Sequence, residues 1–80
     1  MRYHVIGSDV QVRALEVAGV KGSVVSSSDE ACAALESILK DKSVGTVLVS
    51  SLYYDDPAVS ALVEKQNRKG VLPVVMKLSE

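Results

Sequence analysis

The pattern of apolar and polar residues predicts four strands that alternate with three helices. Runs rich in β-branched and aliphatic side chains, bounded by glycine, serine or charged residues, are typical of strands. Stretches in which apolar residues recur every three or four positions are typical of helices. The predicted strands cover 2–6, 23–26, 44–50 and 71–78, and the predicted helices cover 10–17, 27–42 and 56–70.

The second helix has the strongest pattern. Ser27 and Glu30 form the S-x-x-E signature of a capping box, and apolar residues then follow at helical spacing from Ala31 to Leu39. The third helix is expected to begin at Asp56-Pro57, a capping carboxylate followed by proline in the first turn. The four residues 52–55 before it are predicted to form a loop.

The element order β-α-β-α-β-α-β predicts an α/β fold with a parallel sheet and right-handed crossovers. The expected strand order is 2-1-3-4, which gives a small flavodoxin-like three-layer sandwich. Eighty residues fit one domain, which covers 1–80. Pro73 predicts an edge position for the last strand, because proline cannot donate a hydrogen bond to a neighbour.

This topology predicts an uncovered sheet face. Right-handed crossovers place the first helix on one face and the other two helices on the opposite face. Strands 3 and 4 are apolar on both faces, and no helix follows Leu78 to cover them on the side of the first helix. An exposed apolar patch commonly marks a binding surface for a partner. The candidate partner-binding residues, taken from these strands and from the loop between them, are Leu52, Tyr53, Tyr54, Val71, Pro73 and Val75.

Composition narrows the possible functions. The chain is 48% apolar and carries nine basic and ten acidic residues, a net charge of −1, with three tyrosines and no other aromatic residue. This balance argues against nucleic-acid binding, which depends on basic patches and stacking aromatics. The apolar runs are too short to insert into a membrane. The lone Cys32 fits a reducing compartment such as the cytoplasm.

No combination of residues predicts catalysis, a cofactor or a metal. Gly7-Ser8-Asp9 lacks the further glycines of a nucleotide-binding loop and is interpreted as a turn followed by a helix cap. Cys32 lies within a helix, where a packing role is expected. His4 has no Cys or His partner at metal-ligand spacing.

Four stretches of the sequence resemble the F subunit of the archaeal and bacterial V/A-type rotary ATPases. They are Val5-Ile6-Gly7, Ala18-Gly19-Val20, the segment from Asp41 to Val49, and Pro73-Val74-Val75. The resemblance implies a non-catalytic component of the central stalk, docked on the coiled-coil D subunit of that stalk among the other ATPase subunits. It also implies a cytoplasmic location, peripheral to the membrane, and a role in coupling ATP hydrolysis or synthesis to ion transport.

Two further expectations accompany this interpretation. The isolated chain is expected to be able to form a homodimer through its apolar patch. The alternative function is a stand-alone flavodoxin-like module for ligand binding or phospho-signalling, which would hold an anion near Gly7, Ser8 and Asp9.

Overall fold

A computed structural model describes residues 2–79 of the chain. Four parallel strands form one sheet in the order β2-β1-β3-β4, which confirms the predicted α/β fold and strand order. The elements in chain order are β1 (Arg2–Gly7), α1 (Asp9–Glu16), β2 (Lys21–Val24), α2 (Ser28–Ile38), β3 (Val44–Ser50), α3 (Ser51–Tyr54), α4 (Pro57–Arg68) and β4 (Val74–Leu78).

The predicted loop at 52–55 is wrong, because most of it belongs to the one-turn helix α3. The Ser50 hydroxyl accepts a hydrogen bond from the Leu52 N–H at 3.2 Å, which caps this turn directly at the end of β3. The sheet is therefore accompanied by four helices among residues 2–79, one more than predicted.

Two strand boundaries also differ from the prediction. β2 begins at Lys21 and ends at Val24, so it lies about two residues earlier than expected. β4 begins only at Val74, and Pro73 precedes it instead of lying within it. The Gln66 side-chain amide donates to the carbonyls of Val71 and Pro73, at 3.4 and 3.0 Å, and so ties this segment to α4. The predicted edge position of the last strand is confirmed.

Side chains cap the helices at the positions that the sequence indicates. The Ser27 hydroxyl accepts from the Glu30 N–H at 3.2 Å, as predicted for α2. The Glu30 carboxylate accepts from the backbone and hydroxyl of Ser26, at 2.8 and 3.0 Å, one residue earlier than a standard capping box. Asp56 caps α4 by accepting from the N–H groups of Ala58 and Val59.

The hydrophobic core lies between the sheet and the layer formed by α2 and α4. Leu35 of α2, with Val59 and Val63 of α4, packs there against the side chains of all strands but the short β2. α1 packs separately on the other face, over β1 and β2, where Val12 approaches the backbone of Gly22. The two faces of the sheet are thus covered by different helices, as the topology predicts.

Candidate partner-binding surface

The in-register pairing of the parallel strands aligns side chains in rows across each sheet face. On the α1 side, one row joins Tyr3, Thr46 and Val74, and the next joins Val5, Leu48 and Met76. α1 covers Val5, which is fully buried, whereas no helix of the described chain lies over the β3 and β4 ends of these rows. We call the six residues Tyr3, Thr46, Leu48, Val74, Met76 and Leu78 the open face.

Exposure confirms that this part of the sheet is uncovered. Tyr3, Val74 and Met76 are 55%, 43% and 52% exposed, and Leu48 is half-buried. Val75, which lies between two of these residues in sequence but points to the opposite face, is 2% exposed. Within β4, Val75 is therefore a buried apolar residue on one side, and Val74 and Met76 are exposed apolar residues on the other.

A groove runs beside the open face, between α1 and the end of β4. It has a volume of about 460 Å³, and its lining residues are Ser8, Val10, Gln11, Ala14, Leu15, Leu78 and Ser79. None of these described lining residues carries a charge. Val10 and Ala14 are spaced i, i+4 and are both exposed, so α1 presents an apolar stripe to the groove in addition to its buried side. The exposed strand residues and the apolar side of α1 together form one continuous apolar surface.

The six candidate residues predicted from the sequence do not form one surface. Leu52 is exposed after the carboxyl end of β3, and Val71 is exposed before the amino end of β4, so they lie at opposite ends of the sheet. Pro73 and Val75 are buried beneath the surface. Leu52 and Val71 are therefore accessible at the surface, whereas Pro73 and Val75 are not.

The two tyrosines of α3 are half-buried and pack against the core. The Tyr53 hydroxyl donates to the Val25 carbonyl at 3.4 Å, so this side chain folds back on the sheet. The Lys77 ammonium lies 5.9 Å from the centre of the Tyr54 ring and 3.4 Å from the Asp55 carboxylate. Contacts within the chain therefore explain why both tyrosine side chains are half-buried.

The residues of the open face were missed because strands 3 and 4 are apolar on both sides. One signal was present in the sequence. Thr46 is the single polar residue in the interior of its strand and shares a side with Leu48, which marks that side as the less buried one. Extending this assignment to Met76 rather than Val75 requires the register between β3 and β4, which one sequence does not contain.

His4 and Cys32, the side chains best suited to catalysis, are held by local packing and hydrogen bonding. The His4 Nε2 lies 2.9 Å from the Ser23 hydroxyl, and partial burial lowers the pKa of the imidazole. Burial, followed by the nearby carboxylates of Asp56, Asp29 and Glu36, raises the pKa of the Cys32 thiol, which disfavours the reactive thiolate. Within residues 2–79 no three His, Cys, Asp or Glu side chains are grouped so that they could hold a metal ion.

The turn after β1 is occupied by its own helix cap. The Ser8 hydroxyl accepts from the Gln11 N–H at 3.3 Å, and the Gln11 side-chain oxygen accepts from the Ser8 N–H at 3.1 Å. This confirms the interpretation of Gly7-Ser8-Asp9 as a turn and cap. The Ser8 amide is bound by the Gln11 side chain and so does not face an external ligand, which gives the alternative ligand-binding function no support from this amide.

None of the helices between residues 2 and 79 has the length and apolar character needed to cross a membrane.

Comparison with known proteins adds one finding about identity. No curated protein matches the chain. The family model described as the ATP synthase (F/14-kDa) subunit matches residues 4–80, which is nearly the whole sequence. The match confirms the resemblance to the F subunit of the V/A-type ATPases and makes the chain a rotary-ATPase component that functions within a complex of other subunits. The chain therefore belongs to the ATP synthase (F/14-kDa) subunit family.

Proposed function

We propose that this chain is a non-catalytic component of the rotating central stalk and that it docks on the coiled-coil D subunit of the stalk. We call this partner the coiled-coil stalk protein. In this role the chain couples ATP hydrolysis or synthesis in the catalytic head to ion transport through the membrane, as a peripheral component of the complex. Membership of the family supports the assignment of the chain to a rotary ATPase complex. The observation that carries the choice of partner is the uncharged apolar surface formed by the open face and the α1 groove.

The dimensions of this surface fit one α-helix. Neighbouring strands lie about 4.8 Å apart, so the uncovered pair β3 and β4 is roughly as wide as a helix with its side chains, about 10 Å. Val10 and Ala14 of α1 stand beside this space at helical spacing. A helix that lies over β3 and β4 contacts the sheet with one side and α1 with another, as a further helix of a three-layer sandwich does.

A long coiled coil can supply such a helix, since its outer faces remain accessible along its length. The uncharged lining requires an apolar stripe on the partner, because a charged stripe would lose its hydration without gaining an ion pair. We propose Leu52 and Val71 as contacts at the two ends of the bound helix. Tyr53, Tyr54, Pro73 and Val75 contribute indirectly, by holding the backbone beneath the docking surface.

The test is the affinity of the full chain for the coiled-coil stalk protein of the same complex, measured by titration calorimetry. Met76→Lys places a charge in the middle of the open face, on an exposed position of an edge strand where lysine is tolerated. We expect affinity to fall by about tenfold or more, a loss of at least about 1.4 kcal/mol.

Val17→Lys is the matched control. Val17 is an apolar residue, 91% exposed at the end of α1, and does not line the groove. We expect its affinity for the coiled-coil stalk protein to equal that of the unmodified chain. Equal binding by Met76→Lys would show that the docking surface is wrong, and absence of binding by the unmodified chain would overturn the proposed partner.

A further inference from the structure

The side of the molecule opposite the open face carries a second groove, with different chemistry. It lies between the carboxyl-terminal halves of α2 and α4 and has a volume of about 240 Å³. Its lining residues are Glu36, Leu39, Lys40, Leu62, Lys65, Gln66 and Lys69. We call this the lysine groove. Three lysines and one glutamate therefore line one small volume, in a chain whose net charge is −1.

Within the described residues the three lysines have no acidic partner, and unlike Lys21 and Lys42, which also have none, they line one groove. Among residues 2–79 the ion pairs of the basic side chains belong to Arg2, Arg13, Arg68 and Lys77. Lys40, Lys65 and Lys69 form no ion pair, hydrogen bond or ring contact with any described residue. Lys65 lies in the last turn of α4 and Lys69 is its C-cap, four residues later, so the two positive charges lie close enough to repel each other. The groove thus gathers positive charge that the described chain does not neutralise.

The floor of the groove is apolar. Leu39 and Leu62 are half-buried at its base, and the Gln66 side chain is turned inward to the carbonyls before β4. A site for a free small anion would instead present hydrogen-bond donors at its base. An apolar floor with a cationic rim fits a peptide segment that carries an apolar residue between carboxylates.

We propose that the lysine groove binds an acidic amphipathic segment of a neighbouring protein. On α4 the rise between Lys65 and Lys69 is about 6 Å, which matches carboxylates one helical turn apart on a facing helix. Lys40 reaches the same segment from the turn after α2, and Leu39 and Leu62 receive its apolar side chain. The three lysines act by charge complementarity, which raises association rate and specificity and is weakened by salt.

A membrane surface is a poorer match for the same charges. Recognition of anionic lipid by basic clusters takes about four to eight Lys or Arg residues together. The lysine groove has three, with Glu36 among its lining residues. The occupant is therefore assigned as protein.

This inference is independent of docking on the coiled-coil stalk protein, because the two surfaces lie on opposite sides of the sheet and can be occupied together. The chain would then bridge two neighbours, one held by apolar contact and one by charge.

The test is zero-length carbodiimide cross-linking of the intact purified ATPase complex, which joins an amine to a carboxylate only where they touch. We expect cross-links from Lys40, Lys65 and Lys69 to Asp or Glu residues of one neighbouring protein of the complex, identified by mass spectrometry. Cross-links confined to other lysines, such as Lys21, would overturn the proposal.

A triple variant tests the energetics on complex reconstituted from the full chain. K40Q/K65Q/K69Q is expected to bind the remaining subunits about tenfold more weakly at low salt, with the difference shrinking as salt rises. The control R13Q/K21Q/K77Q removes the same number of positive charges elsewhere and is expected to bind as the unmodified chain does. Equal losses in both variants would show that net charge, and not the groove, is responsible.

Competition separates the groove's occupant from smaller anions and from lipid. Inorganic phosphate at millimolar concentration should leave the cross-links unchanged, and vesicles of phosphatidylcholine with phosphatidylglycerol should bind the triple variant and the unmodified chain equally. Loss of the cross-links in phosphate, or vesicle binding that depends on the three lysines, would overturn the assignment to a protein segment.

Discussion

The two faces of this small sheet are made of similar residues but have different surroundings. On the side of α2 and α4, Val47 and Val75 lie in the same row and are almost completely buried. On the α1 side, Leu48 and Met76 form the equivalent row and remain partly open to solvent. Side-chain hydrophobicity does not distinguish the rows, whereas the presence of a covering helix does. The covered face stabilises the fold, and the open face retains apolar surface that can contribute to binding.

Truncation of a core residue should give the largest difference between the faces. Leu35 of α2 is fully buried, and Leu35→Ala is expected to cost about 2–5 kcal/mol, through lost burial and a cavity. Met76→Ala on the open face is expected to change the free energy of unfolding by about 0.5 kcal/mol or less. Urea denaturation of both variants gives the comparison.

A loss this large can unfold a chain of 80 residues outright. Ile6→Val, which removes one methylene from the same core, provides a measurable version with an expected loss of about 0.5–1.5 kcal/mol. If Met76→Ala destabilises the chain as much as Ile6→Val does, the open face contributes to the fold and the contrast between faces is wrong.

The next largest effect should separate the two halves of the α1 face. A Cβ added at Gly22 would lie 2.9 Å from the Val5 carbonyl oxygen and 3.0 Å from a Val12 methyl, where α1 packs closely over β2. Gly22→Ala is therefore expected to cost about 1–3 kcal/mol through overpacking. Thr46→Val, on the uncovered half of the face, is the control and is expected to be nearly neutral. Thermal denaturation of both variants measures the difference. Equal effects would mean that α1 covers both halves alike.

The elements that depend on neighbouring residues were predictable from the sequence. The Ser27 cap, the Asp56-Pro57 helix start and the alternation of strands and helices all follow from local chemistry. The strand order was predicted from the flavodoxin-like fold class that this alternation suggests. The uncovered face also followed from that topology before its residues were known.

Features that depend on contacts between distant segments were not predictable. α3 forms because Ser50 caps it at the point where β3 ends, and this strand end is itself determined by the sheet. The assignment of Val75 to the core and Met76 to the open face depends on the register with β3. The lysine groove requires α2 and α4 to lie side by side, which brings Lys40 close to Lys65 although the sequence separates them widely.

A smaller effect is expected at the outer edge of β4, where a side chain covers backbone groups of the last strand. The Asn67 side chain donates to the Val75 carbonyl and accepts from the Val75 N–H, both at 3.0 Å, and so occupies backbone groups that a further strand would use. Asn67→Ala is expected to cost about 1–2 kcal/mol and to increase self-association, because an unprotected edge strand pairs with other chains.

Light scattering over a range of protein concentrations measures the association, and urea denaturation measures the loss. Arg68→Ala is the adjacent control, since its ion pair with Glu64 is long, at 3.9 Å, and exposed. A monomeric Asn67→Ala chain would show that the side chain stabilises β4 without protecting its edge.

The smallest expected effect concerns His4, which lies on the covered side in register with Val47. Partial burial lowers the pKa of the imidazole, the nearby Asp41 carboxylate opposes this, and Arg2 adds to it. The unfolded chain therefore binds a proton at His4 more readily than the folded chain does. The contribution of neutral His4 to the free energy of unfolding is complete above the unfolded pKa of about 6.5. It is lost as the pH falls through the pKa of His4 in the folded chain. His4→Gln should remove most of this slope between about pH 7 and 5, because the lowered pKa values of the Glu30 and Asp41 carboxyl groups place their own contribution at lower pH. Denaturant midpoints of the two chains across this range give the difference directly, because His4 is the single histidine in the sequence. If stability depends on pH in His4→Gln as it does in the unmodified chain, the covered face does not shield the His4 ring from water. It would then bury only the aliphatic side chains, such as Val47 and Val75.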